Sequence, residues 1–166
     1  MVPDSLKSDI QTFRNKNTEL PIRWSHIENL HITLVPPWYT DNIGEFTGKL
    51  LTRSLPGAFT LILDTVRFGP NPDRPRLLWV TGMPSKEIKT VKSVLEKNLT
   101  FKPKYQAFVP HITLGRFRPP IDRNISRQFP VDVDWHIFVD TITLFESHLS
   151  PKGARYERIA QISLTK

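Results

Sequence analysis

The tetrapeptide His-Ile-Thr-Leu occurs twice in this chain, at 31–34 and at 111–114, eighty positions apart. Each copy sets an imidazole two residues before a hydroxyl. If the backbone is extended, residues i and i+2 share a face, so His31 projects with Thr33 and His111 with Thr113. Ile32, Leu34, Ile112 and Leu114 then point the other way, into a core. Imidazole is the side chain best matched to acid–base work near neutral pH. A threonine hydroxyl donates a hydrogen bond to a phosphoryl oxygen without adding charge. Opening a phosphodiester needs one group to deprotonate water and another to protonate the departing alkoxide, on opposite sides of phosphorus. Two imidazoles and two hydroxyls facing one another across a cleft meet that need without a metal or cofactor. No carboxylate accompanies either copy at ligand spacing, so a histidine-based metal site is not expected. His26, His136 and His148 have no partner at catalytic spacing and read as structural.

The rest of the chain must hold these two segments. Its 166 residues suit a single domain, residues 1–166, built as two lobes that share a core, each lobe contributing one His-x-Thr motif. Fifteen prolines argue against a helical bundle. A first helix is expected from Pro3 to about Asn17, capped by Asp4 or Ser5, with Leu6, Ile10 and Phe13 inward. "ENLHITLVPP" reads as a strand stopped by Pro36 and Pro37. A second helix fits Asp41–Leu55, with Ile43, Phe46, Leu50 and Leu51 inward. Strand-like stretches follow at "GAFTLILDTVRFG" and "PRLLWVTG". Ser85 caps a third helix reaching Leu99, with Ile88, Val91, Leu95 and Leu99 on its buried stripe. "FVPHITLGRF", "VDVDWHIFV", "DTITLFESHL" and "ARYERIAQISL" read as further strands. The class is α+β, with weak internal duplication at half the chain length.

Composition narrows the partners. The formal charge is +7, which favours polyanions such as RNA or another phosphate-bearing ligand. There are no cysteines, which removes disulfides, zinc–thiolate sites and thiol nucleophiles. No apolar run approaches the ~20 residues of a membrane-spanning helix, and the opening "MVPDSLKSDI" has no apolar signal core. A cytoplasmic, monomeric protein without a membrane partner is expected.

With these residues in view, the sequence resembles the two-histidine (2H) phosphoesterases, and among them the RNA 2′,3′-cyclic phosphodiesterases, also called 2′-5′ RNA ligases. The resemblance rests on "ENLHITL", "PRLLWV", "FVPHITLGRFR" and "LFESHLSPKGARYERIAQISL", in that order, and spans nearly the whole chain. It implies a bilobal, pseudo-twofold fold with two antiparallel sheets and flanking helices around a central cleft. It also implies opening of a 2′,3′-cyclic phosphate, at an RNA end or in a nucleotide, to a 2′-phosphate. His31 then donates the proton to O3′ and His111 activates water, with Thr33 and Thr113 on the non-bridging oxygens. The chain departs from the family in two places. Where family members have a strand of the type Arg-Leu-Phe-Ile-Ala ahead of the first helix, it opens with "MVPDSLKSDI" almost at the helix, so that strand is either absent or displaced. The first motif runs into "VPPWYT" rather than Arg-Phe-Leu-Gly, so an arginine often found there is absent.

Further candidates surround the motifs. Arg116 falls on the opposite face from His111 in a regular strand, and a bulge at Gly115 re-aims it toward phosphate. Arg118 is a second candidate for substrate contact. Trp38, Tyr39 and Phe117 are candidate platforms for a base. The arginines of "PNPDRPR" and "RFRPPIDRNISRQ" are candidates to line an RNA path.

Overall fold

The computed structural model describes residues 1–51, 55–71, 75–99, 108–118, 125, 128–150 and 153–164. By contacts it divides into two units, one of Met1–Thr33, Ile62–Met83 and Val109–Ile137, the other of Leu34–Leu61, Pro84–Phe108 and Phe138–Lys166.

The first unit is built on a five-stranded sheet. In chain order the strands are β1 (Ile22–Trp24), β2 (Phe59–Gly69), β3 (Leu77–Thr81), β4 (His111–Phe117) and β5 (Val131–Val139). In space they lie β1-β4-β3-β2-β5, and β1 on β4, β4 on β3 and β3 on β2 are antiparallel. Helix α1 (Asp4–Lys16) begins after Pro3, which serves as N-cap without a side-chain bond; the expected cap residues Asp4 and Ser5 lie inside the helix. Leu6 and Ile10 are buried as their i, i+4 spacing requires, and so is Arg14, whose Nη2 donates to the Ser25 carbonyl. One face of the sheet packs the core: Leu63, Val66, Leu78, Val80, Ile112 and Leu114 are all almost fully buried.

Two features of this unit depart from the sequence reading. The first strand of the sheet, Ile22–Trp24, carries no sequence signal at three residues long. The stretch 28–37 is not a regular strand. It holds a 3₁₀ turn at Ile27–Asn29 and then a single antiparallel bridge, Ile32↔Ile112. Its Leu30 carbonyl accepts from Val2 N–H at 3.1 Å, and Pro36 and Pro37 bring no N–H to a ladder. By contacts, His31 and Thr33 fall in the first unit with His111 and Thr113, and the bridge ties the 31–33 segment to β4.

The second unit holds helices α2 (Ile43–Leu51) and α3 (Lys86–Asn98) and the hairpin of β6 (Thr141–Ser150) and β7 (Gly153–Ser163). Ser85 caps α3 by accepting from Ile88 N–H, and Ile88, Val91 and Leu95 are buried as expected. Ile43 in α2 is 38% exposed rather than inward, while Phe46 packs on Trp38 with ring centroids 5.4 Å apart. The expected inward positions 50 and 51 lie outside the described side chains. Among the described residues no helix is long and apolar enough to cross a membrane.

Candidate active site

The site grows from the single bridge. Ile32 faces Ile112, and Ile112 is fully buried. The residues on either side of a bridged pair project to the opposite face, so His31, Thr33, His111 and Thr113 leave the core together. Antiparallel pairing sets His31 opposite Thr113 and Thr33 opposite His111. The arrangement has a local twofold axis through the bridge, with one imidazole and one hydroxyl on each side.

A second regularity is chemical. His31 Nδ1 lies 2.7 Å from the Asn29 carbonyl, and His111 Nδ1 lies 2.8 Å from the Val109 carbonyl. In both cases the acceptor is two residues upstream. A carbonyl only accepts, so Nδ1 carries the hydrogen in both rings and Nε2 is the nitrogen that exchanges a proton. Burial pushes both imidazoles below their ordinary range, against the opposing pull of those carbonyls. His31 and Arg67 push His111 lower still. A charge on His31 disfavours a charge on His111.

The sheet fills in around β4. Register runs Trp79↔Thr113 and then Leu78↔Gly115, which leaves Leu114 as the extra residue of a bulge. Past that point the alternation is inverted. Arg116 pairs with Leu77, two residues from Trp79, and so emerges on the face of His111 and Thr113. Gly115 allows β1 to come close there. A Cβ at Gly115 would lie 2.8 Å from Ile22 Cδ1 and 2.9 Å from the Arg23 carbonyl oxygen. The same inversion sends Phe117 inward. It is only 4% exposed and packs on Phe68 at 5.2 Å, so it is a core residue and not a platform for a ligand. Arg118 is exposed at the end of β4. Trp38 and Tyr39 belong to the second unit, Trp38 against Phe46 and Tyr39 fully exposed. Most of the arginine-rich stretch after β4, and the middle of "PNPDRPR", lie outside the described residues.

The remaining histidines stand elsewhere. His136 sits 2.7 Å from Asp134, His148 lies between Glu146 and Glu157, and His26 precedes the 3₁₀ turn.

Two site-face residues gave no signal as such in the sequence. Trp79 stacks on His111, with ring centroids 3.9 Å apart and planes 26° from parallel. Arg67 pairs with Trp79 in the next strand, which continues the row Arg67–Trp79–Thr113 across three strands. The period-2 pattern of "PRLLWV" puts Trp79 opposite in face to Leu78 and Val80, and that was the available clue.

Fold and paired motif together are those of the 2H phosphoesterase class. Residues 2–150 match the family model of the 2′-5′ RNA ligase superfamily, and the chain belongs to that superfamily. It is 28% identical over 156 residues to the RNA 2′,3′-cyclic phosphodiesterase of Aeropyrum pernix, covering 88% of each chain. Among solved structures, TT0787 of Thermus thermophilus superposes with a TM-score of 0.78 at 21% identity, covering 98% of this chain and 93% of that one. E. coli LigT complexed with 3′-AMP gives a TM-score of 0.75 at 23% identity, covering 100% of this chain and 95% of that one.

Proposed function

We propose that this chain hydrolyses 2′,3′-cyclic phosphates, at RNA ends or in nucleotides, to 2′-phosphates by two-histidine acid–base catalysis. The observation that carries the reading is the pair of imidazoles flanking one bridge, each with its Nδ1 held by the carbonyl two residues upstream. That leaves two Nε2 atoms on one face, with Thr33 and Thr113 interleaved between them.

Water attacks phosphorus in line with O3′, and His111 Nε2 takes its proton. The P–O3′ bond breaks, and His31 delivers its proton to O3′. The products are a 2′-phosphate and a free 3′-hydroxyl, with His111 charged and His31 neutral until solvent resets them. Thr33, Thr113 and Arg116 hold the non-bridging oxygens, Arg116 as a charge-assisted donor. The anionic phosphate favours a proton on one ring of a pair that burial would otherwise keep neutral. The name of the Aeropyrum pernix relative and the complex of E. coli LigT with 3′-AMP support a nucleotide phosphate as the ligand.

A second reading uses the same residues in reverse. An RNA 5′-hydroxyl that attacks the cyclic phosphate in place of water forms P–O5′ as P–O3′ breaks and makes a 2′-5′ linkage; in reverse, the 3′-hydroxyl attacks and the 5′-hydroxyl leaves, which breaks it, as the superfamily's name suggests. Incubation with a nucleoside 2′,3′-cyclic phosphate in excess EDTA, followed by ³¹P NMR of the product, tests the proposal. A 2′-phosphate formed at an undiminished rate is expected. A 3′-phosphate, binding without turnover, or activity that returns only with added metal contradicts it.

A further inference from the structure

The two copies of the motif obey one local rule, yet hydrolysis needs a base on one side and an acid on the other. Each ring makes the same Nδ1 bond to the carbonyl two residues before it. The tetrapeptides alone therefore do not decide which ring accepts a proton. What differs is the flank of β4 on which each ring lies. His31 comes from the segment bridged to β4 on its β1 side, whereas β3 and β2 follow on the other side.

From that second flank come the groups that face His111. Thr81 pairs with it directly, and Thr81 Oγ1 donates to the Thr65 carbonyl in β2. Trp79 covers the imidazole plane. The indole occupies space that only a glycine leaves in β2, since a Cβ at Gly69 would fall 2.3 Å from Trp79 Cδ2. Next along the row stands Arg67, two strands from β4 and three from the segment of His31. With strands ~4.8 Å apart, its backbone is ~10 Å from β4, within reach of a long guanidinium arm. The charged or titratable groups acting on His111 are Arg67 from β2 and His31 across the bridge; the N-terminal ammonium acts on His31 in the same sense, but burial pushes that amine to a lower pKa, whereas the guanidinium stays charged.

We infer that Arg67, with Trp79 as the plate that holds the ring, makes His111 the proton-accepting member of the pair. This rests on the two-histidine reading above and deepens it. A guanidinium keeps its charge throughout the working pH range, so it opposes an imidazolium at His111 and favours the neutral base. Stacking fixes the plane of the imidazole, and the Val109 carbonyl fixes its tautomer, so Nε2 has one direction. Arg67 and Trp79 are positioning residues; neither takes part in proton transfer.

The test is an NMR titration of the imidazoles in the free protein, for the wild type, Arg67→Gln and Arg67→Lys. In the wild type His111 titrates below the ordinary imidazole range. In Arg67→Gln its midpoint rises by about 0.3–0.8 pH unit, as for one charge removed at ~8–10 Å through a partly aqueous medium, and His31 moves less. Arg67→Lys restores the wild-type midpoint. An unmoved His111 in Arg67→Gln, or an equal rise in Arg67→Lys, overturns the inference. These readings need no turnover, so they stand or fall apart from the proposed hydrolysis. With a cyclic phosphate as substrate, the acid limb of kcat/KM should move up with His111 in Arg67→Gln. A higher KM with the limb unmoved would make Arg67 a phosphate contact instead and overturn the inference. Trp79→Phe keeps a ring on His111 and should retain kcat, whereas Trp79→Leu should lower kcat at constant KM and unchanged Tm. Equal kcat in both Trp79 variants removes the plate.

Discussion

The same four residues are held in two different ways. His111–Leu114 opens a seven-residue strand with β3 along one side and the 22–33 chain along the other. His31–Leu34 has one bridge, and the backbone before it is anchored by a 3₁₀ turn and by a bond from Val2 to Leu30. A strand is a property of a ladder, and the prolines after Leu34 end the ladder early. What survives in both places is the shortest-range feature, the Nδ1 bond from each histidine to the carbonyl two residues upstream. The chemistry was written into local sequence, and the strand was not.

The largest effect that this comparison predicts is on turnover. His31→Ala and His111→Ala should each lower kcat/KM toward the cyclic phosphate by ~10²–10⁴-fold, since each removes one proton-transfer group. The double variant should be far less impaired than the product of the two, because both act on one transition state. Steady-state kinetics of the three variants checks this.

Stability should divide unequally between the copies. Ile112→Ala removes a fully buried side chain from a paired strand and should cost about 2–5 kcal/mol. Ile32→Ala, on the half-buried partner of the same bridge, should cost roughly half of that, in proportion to the apolar area it buries. Urea unfolding of the two variants sharpens the comparison, and equal losses would mean that the 31–33 segment is as firmly held as β4.

The smallest effect belongs to the hydroxyls. Thr33→Ala and Thr113→Ala each remove one hydrogen bond to a charged oxygen and should lower kcat/KM by about 10–100-fold without unfolding the chain. A loss in either that matches a histidine variant would give that hydroxyl a larger part than phosphate binding.

Legibility in the sequence followed the range of each interaction. The alternation of His111 and Thr113 with Ile112 and Leu114 was readable because a strand repeats every two residues, and both apolar partners are fully buried. Ser85 and its helix were readable for the same reason, since cap and stripe are local. Gly115 flagged the bulge, but only the register Leu78↔Gly115 shows that the bulge turns Arg116 outward and Phe117 inward. Arg67 and Trp79 were not picked out, because the place of Trp79 beside Thr113 depends on pairing between strands more than thirty residues apart in the chain, and Arg67 reaches the row only through Trp79. The three-residue β1 has no periodicity to read, and its place is set by the close approach to Gly115.

The central claim is that the two histidines divide the work, with His31 as acid and His111 as base. The most direct measurement compares each alanine variant on a cyclic phosphate and on a nitrophenyl phosphodiester, whose leaving group departs without a proton. The account predicts that the nitrophenyl substrate rescues most of the loss in His31→Ala and little of the loss in His111→Ala. Rescue confined to His111→Ala would reverse the roles, and equal rescue of both would contradict the division of labour altogether.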